Sequence, residues 1–156
     1  MTHVRASVVL LTYNQEAFVK EALQSLLDQD IDDLEIVVSD DASKDGTWRV
    51  VMDMAAHYKG PKRLLLNQNA TNIGLTANYE AAFALTSGEL VFSAAGDDVS
   101  TPDRCSACVA LWLANDRVPD FIATDAYDMA LDGKVLGTKC MDELQGLTLE
   151  QWAVKR

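Results

Sequence analysis

The stretch Leu34-Glu35-Ile36-Val37-Val38-Ser39-Asp40-Asp41 decides the fold class of this chain. Its apolar, β-branched centre is typical of a strand that is buried on both faces of a parallel sheet. Two aspartates follow directly, and burying an unpaired carboxylate is strongly unfavourable. In an open α/β sheet, ligands bind beyond the carboxyl ends of the strands. The stretch therefore predicts a buried strand that carries acidic groups to a ligand site.

The same arrangement recurs later in the chain, where the apolar run Leu90-Val91-Phe92-Ser93 precedes Gly96-Asp97-Asp98. Two adjacent carboxylates repel each other, and a divalent cation relieves that repulsion while neutralising a bound diphosphate. Mg²⁺ and Mn²⁺ favour carboxylate and phosphate oxygens. We therefore interpret Asp97 and Asp98 as candidate metal ligands. An acidic loop without a ligand is the alternative.

Apolar runs alternate with helical patterns along most of the chain. Strands are predicted at residues 7–11, 34–39, 63–66, 89–93 and 120–124. Helices are predicted after Asn14 and over residues 48–58, 76–85 and 101–115, with Asn14 and Thr47 as caps and Thr101-Pro102 as a helix start. This alternation predicts a doubly wound, mostly parallel sheet with right-handed crossovers.

The last part of the chain departs from the alternation of strands and helices. Asp132-Gly133 lies between two short apolar runs and predicts a hairpin turn. Thr148 and Gln151 have the spacing of a capping box and predict the start of a final helix.

Composition narrows the class of protein. The chain has 156 residues, which suits one domain, and a formal net charge of -11, which disfavours nucleic-acid binding. Three cysteines do not suggest a disulfide framework, and no secretory signal or membrane span of ~20 apolar residues is evident. We expect a cytoplasmic protein that is able to associate peripherally with the inner face of the membrane. The sequence does not predict the oligomeric state, and an oligomer is possible.

The loop after the first strand lacks the glycines of a dinucleotide fold and of a phosphate-binding P-loop. Tyr13 in this loop can stack on a flat base, and Asp40 can accept a hydrogen bond from a ring N–H or a ribose hydroxyl. The alternative is that both residues only end their strands. Cys105 and Cys108 are three residues apart on a predicted helix, and we interpret them as packing residues, since no second Cys or His pair accompanies them.

Four segments in order resemble the family 2 glycosyltransferases, which have the GT-A fold. The resemblance covers residues 6–104 and continues more weakly to about Gly137. The segments are Ser7 to Gln15, Glu35 to Thr47, Asn72-Ile73-Gly74-Leu75 with Asn78, and Gly88 to Arg104. This resemblance implies a Rossmann-like three-layer α/β/α sandwich and a single domain, residues 1–156, that binds a nucleotide-diphosphate sugar. We expect the chain to stop before the acceptor-binding half.

The resemblance also implies roles for individual residues. Thr12, Tyr13 and Asn14 would contact the nucleotide, and Asp40 would bind the uracil ring. Asn72, Gly74 and Asn78 would shape the loop and helix beside the donor sugar. Asp97 would bind both donor and metal, with Asp98 in support. The family's first metal-motif aspartate is replaced here by Ala95.

The implied function is a metal-dependent, inverting transfer of a sugar, of the hexosyltransferase type. The sugar would move from a nucleotide-diphosphate donor, UDP-linked, to a glycan or another hydroxyl acceptor, as in surface polysaccharide assembly, with Mn²⁺ or Mg²⁺ as cofactor. No catalytic base is identifiable, although Asp125 and Asp128 are carboxylates near the predicted fifth strand. A non-catalytic binding or interaction module with the same fold is the alternative. A sugar nucleotidyltransferase is disfavoured, because residues 12–15 do not form a glycine-rich, basic loop.

Overall fold

The computed structural model describes residues 5–139. The chain divides into two compact units, Met1–Ala114 and Asn115–Arg156, which are described separately. The described part of the first unit contains β1 (Ala6–Thr12), α1 (Val19–Leu27), β2 (Leu34–Asp40), α2 (Thr47–His57), β3 (Arg63–Gln68), α3 (Leu75–Phe83), β4 (Leu90–Ala95) and α4 (Arg104–Ala114). The described part of the second unit contains the antiparallel strands β5 (Ala126–Met129) and β6 (Val135–Lys139).

The strands of the first unit form one parallel sheet in the order β3-β2-β1-β4. The central strands β1 and β2 are almost completely buried, because each has a neighbour on both edges and helices cover the sheet. Thr12 and Asp40, the last residues of these two strands, are directly paired. The predicted α/β fold with a parallel central sheet is therefore confirmed.

Successive side chains of the central strands pack on opposite faces of the sheet. Val9 of β1 and Val37 of β2 form a buried cluster with Ala82 of α3. Val8 and Ile36, which are also fully buried, lie on the opposite face. There α1 and α2 pack against each other, and they contact β1 and β2 respectively. Burial of each side chain of this size stabilises the fold by about 1.5–3 kcal/mol.

A buried carboxylate joins the strands at the amino end of the sheet. Glu35 is almost completely buried and accepts hydrogen bonds from Ser7 Oγ (2.9 Å) and Ser87 N (2.8 Å). It also forms an ion pair of 2.7 Å with Arg63 Nη1. These contacts offset the cost of removing the charge from water. They connect β1, β2 and β3 with the segment that precedes β4.

Both predicted helix caps are wrong. Asn14 does not cap α1, which begins only at Val19, because the Asn14 side chain accepts a hydrogen bond from Lys44 N (2.7 Å) instead. Asn14 has a φ of 53°, a left-handed conformation that short polar residues tolerate. Thr47 lies inside α2 as its first residue and does not precede it.

Two further boundaries differ from the predictions. The helix predicted from Thr101 begins at Arg104, because residues 102 and 103 form a turn. The strand predicted at residues 120–124 is not formed, since no strand within the described residues pairs with it and supplies the hydrogen bonds that a strand requires. The strand in this region is β5, which begins at Ala126.

Other local predictions are confirmed. Asp132-Gly133 turns between β5 and β6, and Gly133 has the positive φ of 83° that favours glycine. Cys105 and Cys108 are both buried in α4, and burial raises the pKa of the Cys105 thiol to about 12. Thr148 and Gln151 lie outside the described residues. Between residues 5 and 139, no helix is both long and apolar enough to cross a membrane.

Candidate functional site

The candidate site lies at the carboxyl edge of the parallel sheet, where the loops after β1, β2 and β4 leave side by side. Asp41 N donates a hydrogen bond to Thr12 O (2.9 Å) at the end of β1. Gly96 N donates to Leu11 O (2.9 Å) and so fixes the loop after β4 to the same strand. The predicted meeting of these loops at one edge of the sheet is thus observed.

Asp40 is the buried centre of this edge. Its carboxylate accepts hydrogen bonds from Thr12 Oγ1 (3.0 Å), from Gln68 Nε2 (3.2 Å) and from both the backbone N–H and the hydroxyl of Ser43. The side chain is fully buried, at 0% exposure. Its oxygens join β1, β3 and the loop after β2, and the contact of Asp40 with a base stays a prediction.

Hydrogen bonds join the loop after β1 to the loop after β2. Asn14 N donates to Ser43 Oγ (2.9 Å), while Asn14 Oδ1 accepts from Lys44 N (2.7 Å). Glu16 N donates to Asp45 Oδ2 (3.1 Å). Burial acts to raise the pKa of Asp45, but hydrogen bonds outweigh it and hold that pKa below its usual value. The Asn14 side chain therefore serves this contact between loops and does not line the cleft described below.

Asp41 holds the loop that precedes α3. Its carboxylate accepts hydrogen bonds from Ile73 N (2.9 Å), Gly74 N (2.8 Å) and Asn69 Nδ2 (2.9 Å). Burial acts to raise the pKa of Asp41, but these three hydrogen bonds outweigh it and hold the pKa below the ordinary value of 3.8. Asp41 is therefore ionised at neutral pH.

A network of buried side-chain amides holds the loop that precedes α3 against β2 and β3. Asn78 of α3 is nearly inaccessible, and its Oδ1 accepts hydrogen bonds from Ser39 Oγ (2.6 Å) and Asn69 Nδ2 (2.9 Å). Asn78 Nδ2 donates to Ser39 O (3.2 Å). Asn67 Nδ2 donates to Ser39 Oγ (2.9 Å), which links β3 to the same network. Buried amides of this kind must be paired, so the network sets the position of α3 relative to β2.

These elements enclose a cleft of about 720 Å³ between the sheet edge and α3. Six residues predicted to belong to a site line it, namely Thr12, Tyr13, Asn72, Gly74, Asn78 and Asp98. The predicted residues Asn14, Asp40 and Asp97 do not. The cleft is also lined by Asp41, the second aspartate of the strand-end pair, for which no individual role was predicted. Three further lining residues were not predicted to belong to a site, namely Gln15, Thr76 and Tyr79.

The period of a β-strand explains why Asp41 lines the cleft and Asp40 does not. Side chains alternate between the two faces, and Val37 and Ser39 both point towards α3. Asp41 continues that alternation, whereas Asp40 belongs to the opposite set. The cleft lies on the α3 side of the sheet. The alternation of side chains can be read from the sequence, but choosing between Asp40 and Asp41 also requires the position of α3.

The loop after β4 brings two carboxylates to the mouth of the cleft. Asp98 N donates to Ala95 O (3.1 Å) in a tight turn, and both Asp97 and Asp98 are exposed. Asp98 lines the cleft. No group of three or more His, Cys, Asp and Glu side chains able to hold a metal occurs among residues 5–139. A cation here would therefore need oxygen ligands from a bound substrate as well.

Solved structures of similar fold support the GT-A type architecture. The complex of S. aureus TarS 1-349 with UDP-GlcNAc matches with a TM-score of 0.65 and 29% identity, covering 72% of this chain and 32% of that protein. The mannosyltransferase PcManGT from Pyrobaculum calidifontis, in complex with GDP-Man and Mn²⁺, matches with a TM-score of 0.64 and 31% identity. That match covers 73% of this chain and 33% of PcManGT.

Glycosyltransferases, named or provisionally assigned, are among the sequence relatives. Over 106 residues the chain is 37% identical to EpsE of Bacillus subtilis (strain 168), a provisionally assigned glycosyltransferase, with 68% of this chain and 37% of EpsE covered. Over 96 residues it is 36% identical to the GalNAc(5)-diNAcBac-PP-undecaprenol beta-1,3-glucosyltransferase of Campylobacter jejuni, with 60% of this chain and 30% of that protein covered. The chain spans less than half of the length of these relatives.

The family described as Glycosyl transferase family 2 matches residues 7–142. This range contains every residue that lines the cleft, and it contains the whole parallel sheet apart from the first residue of β1. The chain therefore belongs to glycosyl transferase family 2.

Proposed function

We propose that this chain forms the donor site of an inverting, metal-dependent glycosyltransferase that uses a UDP-linked sugar and a hydroxyl-bearing acceptor such as a glycan. The observation that carries the proposal is that Tyr13, Asp41 and Asp98 line one cleft of about 720 Å³. Small-molecule pockets typically have volumes of about 300–1,000 Å³. The UDP-GlcNAc bound by TarS and the GDP-Man bound by PcManGT support a nucleotide sugar as the ligand class.

The nucleotide base would bind between Tyr13 and Asp41. Tyr13 is 44% exposed, so its ring offers a free apolar face for stacking. A carboxylate accepts about four hydrogen bonds, and protein groups supply three to Asp41, which leaves one position on Oδ2 for a ligand. An ionised acceptor favours a base with a ring N–H on its pairing edge. Uracil and guanine have this N–H, whereas neutral cytosine and adenine present a ring acceptor there.

The diphosphate would lie towards the loop of Asp97 and Asp98. Two adjacent exposed carboxylates fit Mg²⁺ or Mn²⁺, which proteins commonly hold through one or two carboxylates together with substrate phosphates. Asp98 would provide the oxygen nearest the cleft, and Asp97 would add negative charge beside it. When bound, such a cation acts as a Lewis acid that stabilises the charge developing on the leaving nucleoside diphosphate.

We assign no catalytic base. The carboxylates considered from the sequence, Asp125 and Asp128, belong to the second compact unit, whereas the cleft belongs entirely to the first. The roles proposed for this chain are therefore donor binding and stabilisation of the leaving group.

Calorimetric titration of the chain with UDP, with and without Mn²⁺, tests the proposal. We expect UDP binding that Mn²⁺ strengthens, and Asp98→Asn to weaken the Mn²⁺-dependent binding by about tenfold or more. Asp97→Asn removes the same charge from a residue that does not line the cleft, and it should have the smaller effect. Asp53→Asn, an exposed position on α2, serves as the control for charge alone. Absence of UDP binding at millimolar concentration in both titrations would overturn the proposed function.

A further inference from the structure

The side chain of Gln15 lies between the two parts of the cleft that the proposed function assigns to base and metal. Its Oε1 accepts a hydrogen bond from Tyr13 N (3.2 Å). A methyl group added at Gly96 would come within 2.4 Å of the same Oε1, so the amide packs directly against the residue that precedes Asp97. Gln15 also lines the cleft. The amide therefore occupies the span between Tyr13 and the acidic loop.

The orientation of this amide is determined by its contacts. A backbone N–H requires an acceptor, so the hydrogen bond from Tyr13 N assigns the oxygen end of the amide. Nε2 is then the remaining polar atom of the side chain. Within residues 5–139, no group accepts a hydrogen bond from Gln15 Nε2. The backbone of Gln15 is fixed as well, because its N–H donates to Thr47 Oγ1 (2.7 Å) and its carbonyl accepts from Val19 N (2.9 Å) at the start of α1.

The charge of the cleft makes such a donor useful. The ionisable side chains that line it are Tyr13, Asp41, Tyr79 and Asp98, and no Lys, Arg or His of the described chain is among the lining residues. A diphosphate would therefore meet carboxylates that repel it, unless a cation and neutral donors compensate. Hydrogen bonds to a charged group are stronger than those between neutral groups.

We propose that Gln15 is a diphosphate-binding residue, whose Nε2 donates a hydrogen bond to a phosphate oxygen of the bound nucleoside diphosphate. This inference rests on the proposed function, because it places the diphosphate between the base at Tyr13 and the metal at Asp98. The sequence alone did not predict this contact. Gln15 would bind the phosphates of the nucleotide and not its base.

The test compares UDP with uridine, which has the same base and ribose but no phosphate. Gln15→Met keeps the length of the side chain and removes the donor. We expect it to lower the affinity for UDP by about tenfold or more. The affinity for uridine, followed by NMR titration, should change less than about twofold, since stacking on Tyr13 remains.

A second variant distinguishes loss of the Nε2 donor from a disturbed conformation of the loop after β1. Gln15→Glu retains an oxygen for Tyr13 N but replaces Nε2 with a carboxylate oxygen, so in metal-free titrations it should weaken UDP binding at least as much as Gln15→Met. Gln24→Glu adds the same charge at an exposed position of α1 that does not line the cleft, and UDP affinity should stay at the wild-type value.

The outcomes separate this inference from the function on which it rests. If the wild type and Gln15→Met bind UDP equally well, the role of Gln15 is overturned, whereas the proposed donor site is not affected. Equal losses for UDP and uridine also overturn it, because Gln15 would then only shape the loop of Tyr13. Wild-type protein that fails to bind UDP overturns both the donor site and the inference.

Discussion

Replacing Asp41 with asparagine tests whether one carboxylate holds the loop between β3 and α3. In the wild type, Oδ1 accepts hydrogen bonds from Asn69 Nδ2 and Ile73 N, and Oδ2 accepts from Gly74 N. Asparagine has one acceptor oxygen and one donor nitrogen. Whichever way the amide turns, at least one of these N–H groups faces another donor.

The size of the effect follows from the number of contacts. A hydrogen bond to a charged group contributes about 1.5–3 kcal/mol, and one between neutral groups about 0.5–1.5 kcal/mol. Asp41→Asn loses one charged hydrogen bond and converts the others to neutral ones, so we expect the free energy of unfolding to fall by about 2–4 kcal/mol. This is a large share of the roughly 5–15 kcal/mol by which folded proteins are stable.

Urea unfolding of wild type, Asp41→Asn and Asp53→Asn measures the difference. Asp53 is exposed, and its contact with His57 should contribute at most about 1 kcal/mol. The pH dependence gives a second readout. The pKa of Asp41 in the folded state lies below 3.8, so its contribution is present in full above that pH and is lost as the pH falls through the folded-state value. The gap between wild type and Asp41→Asn should therefore shrink in strong acid.

Two results would refute this reasoning. One is a loss of stability in Asp41→Asn no larger than that in Asp53→Asn. The other is a stability gap that stays constant as the pH falls well below 3.8, because the charge of Asp41 would then not be the source of the stabilisation.

Two further substitutions test the backbone of the site. Ala42 has a φ of 58°, so Ala42→Gly should raise the free energy of unfolding by up to about 1 kcal/mol. Ala55→Gly, in the last turn of α2, should instead lower it by up to a similar amount. Both changes are measured by urea unfolding. Destabilisation by Ala42→Gly would contradict the inference that the backbone of Ala42 is strained. Gly96→Ala should weaken UDP binding, because the new methyl group would displace the amide of Gln15, while Gly137→Ala meets no neighbouring atom within 4 Å and should leave binding unchanged in the same calorimetric titration.

The central sheet could be predicted because its signals are local and strong. The apolar runs in β1 and β2 allow few alternatives to buried parallel strands, and β2 is observed one residue longer than predicted. Asp132-Gly133 was equally informative, because a glycine with positive φ is what such a turn requires. The two false caps show the opposite case. Asn14 and Thr47 have the right chemistry for capping, but contacts between distant loops use their side chains instead.

The candidate site was harder to predict, because it depends on which face of the sheet each residue occupies. The strand-end motif drew attention to Asp40, the first of two adjacent aspartates. Both aspartates are buried, but only Asp41 lines the cleft. Gln15 ends the first segment of the resemblance, but the sequence predicted no role for it. Its position depends on contacts with Tyr13 and Gly96, and the latter is far away in the chain.

The hydrogen bonds that fix the loops of this site mostly use atoms that a ligand would not touch. Asp40 and Glu35 are enclosed by the protein, and the amide of Asn78 is spent on Ser39 and Asn69. Apart from Asp41, which both holds a loop and lines the cleft, the residues that fix the loops and the residues that would bind a ligand are largely separate. Tyr13, Asn72 and Thr76 line the cleft, so they could be varied to change the ligand that the cleft admits without removing the hydrogen bonds that hold the loops.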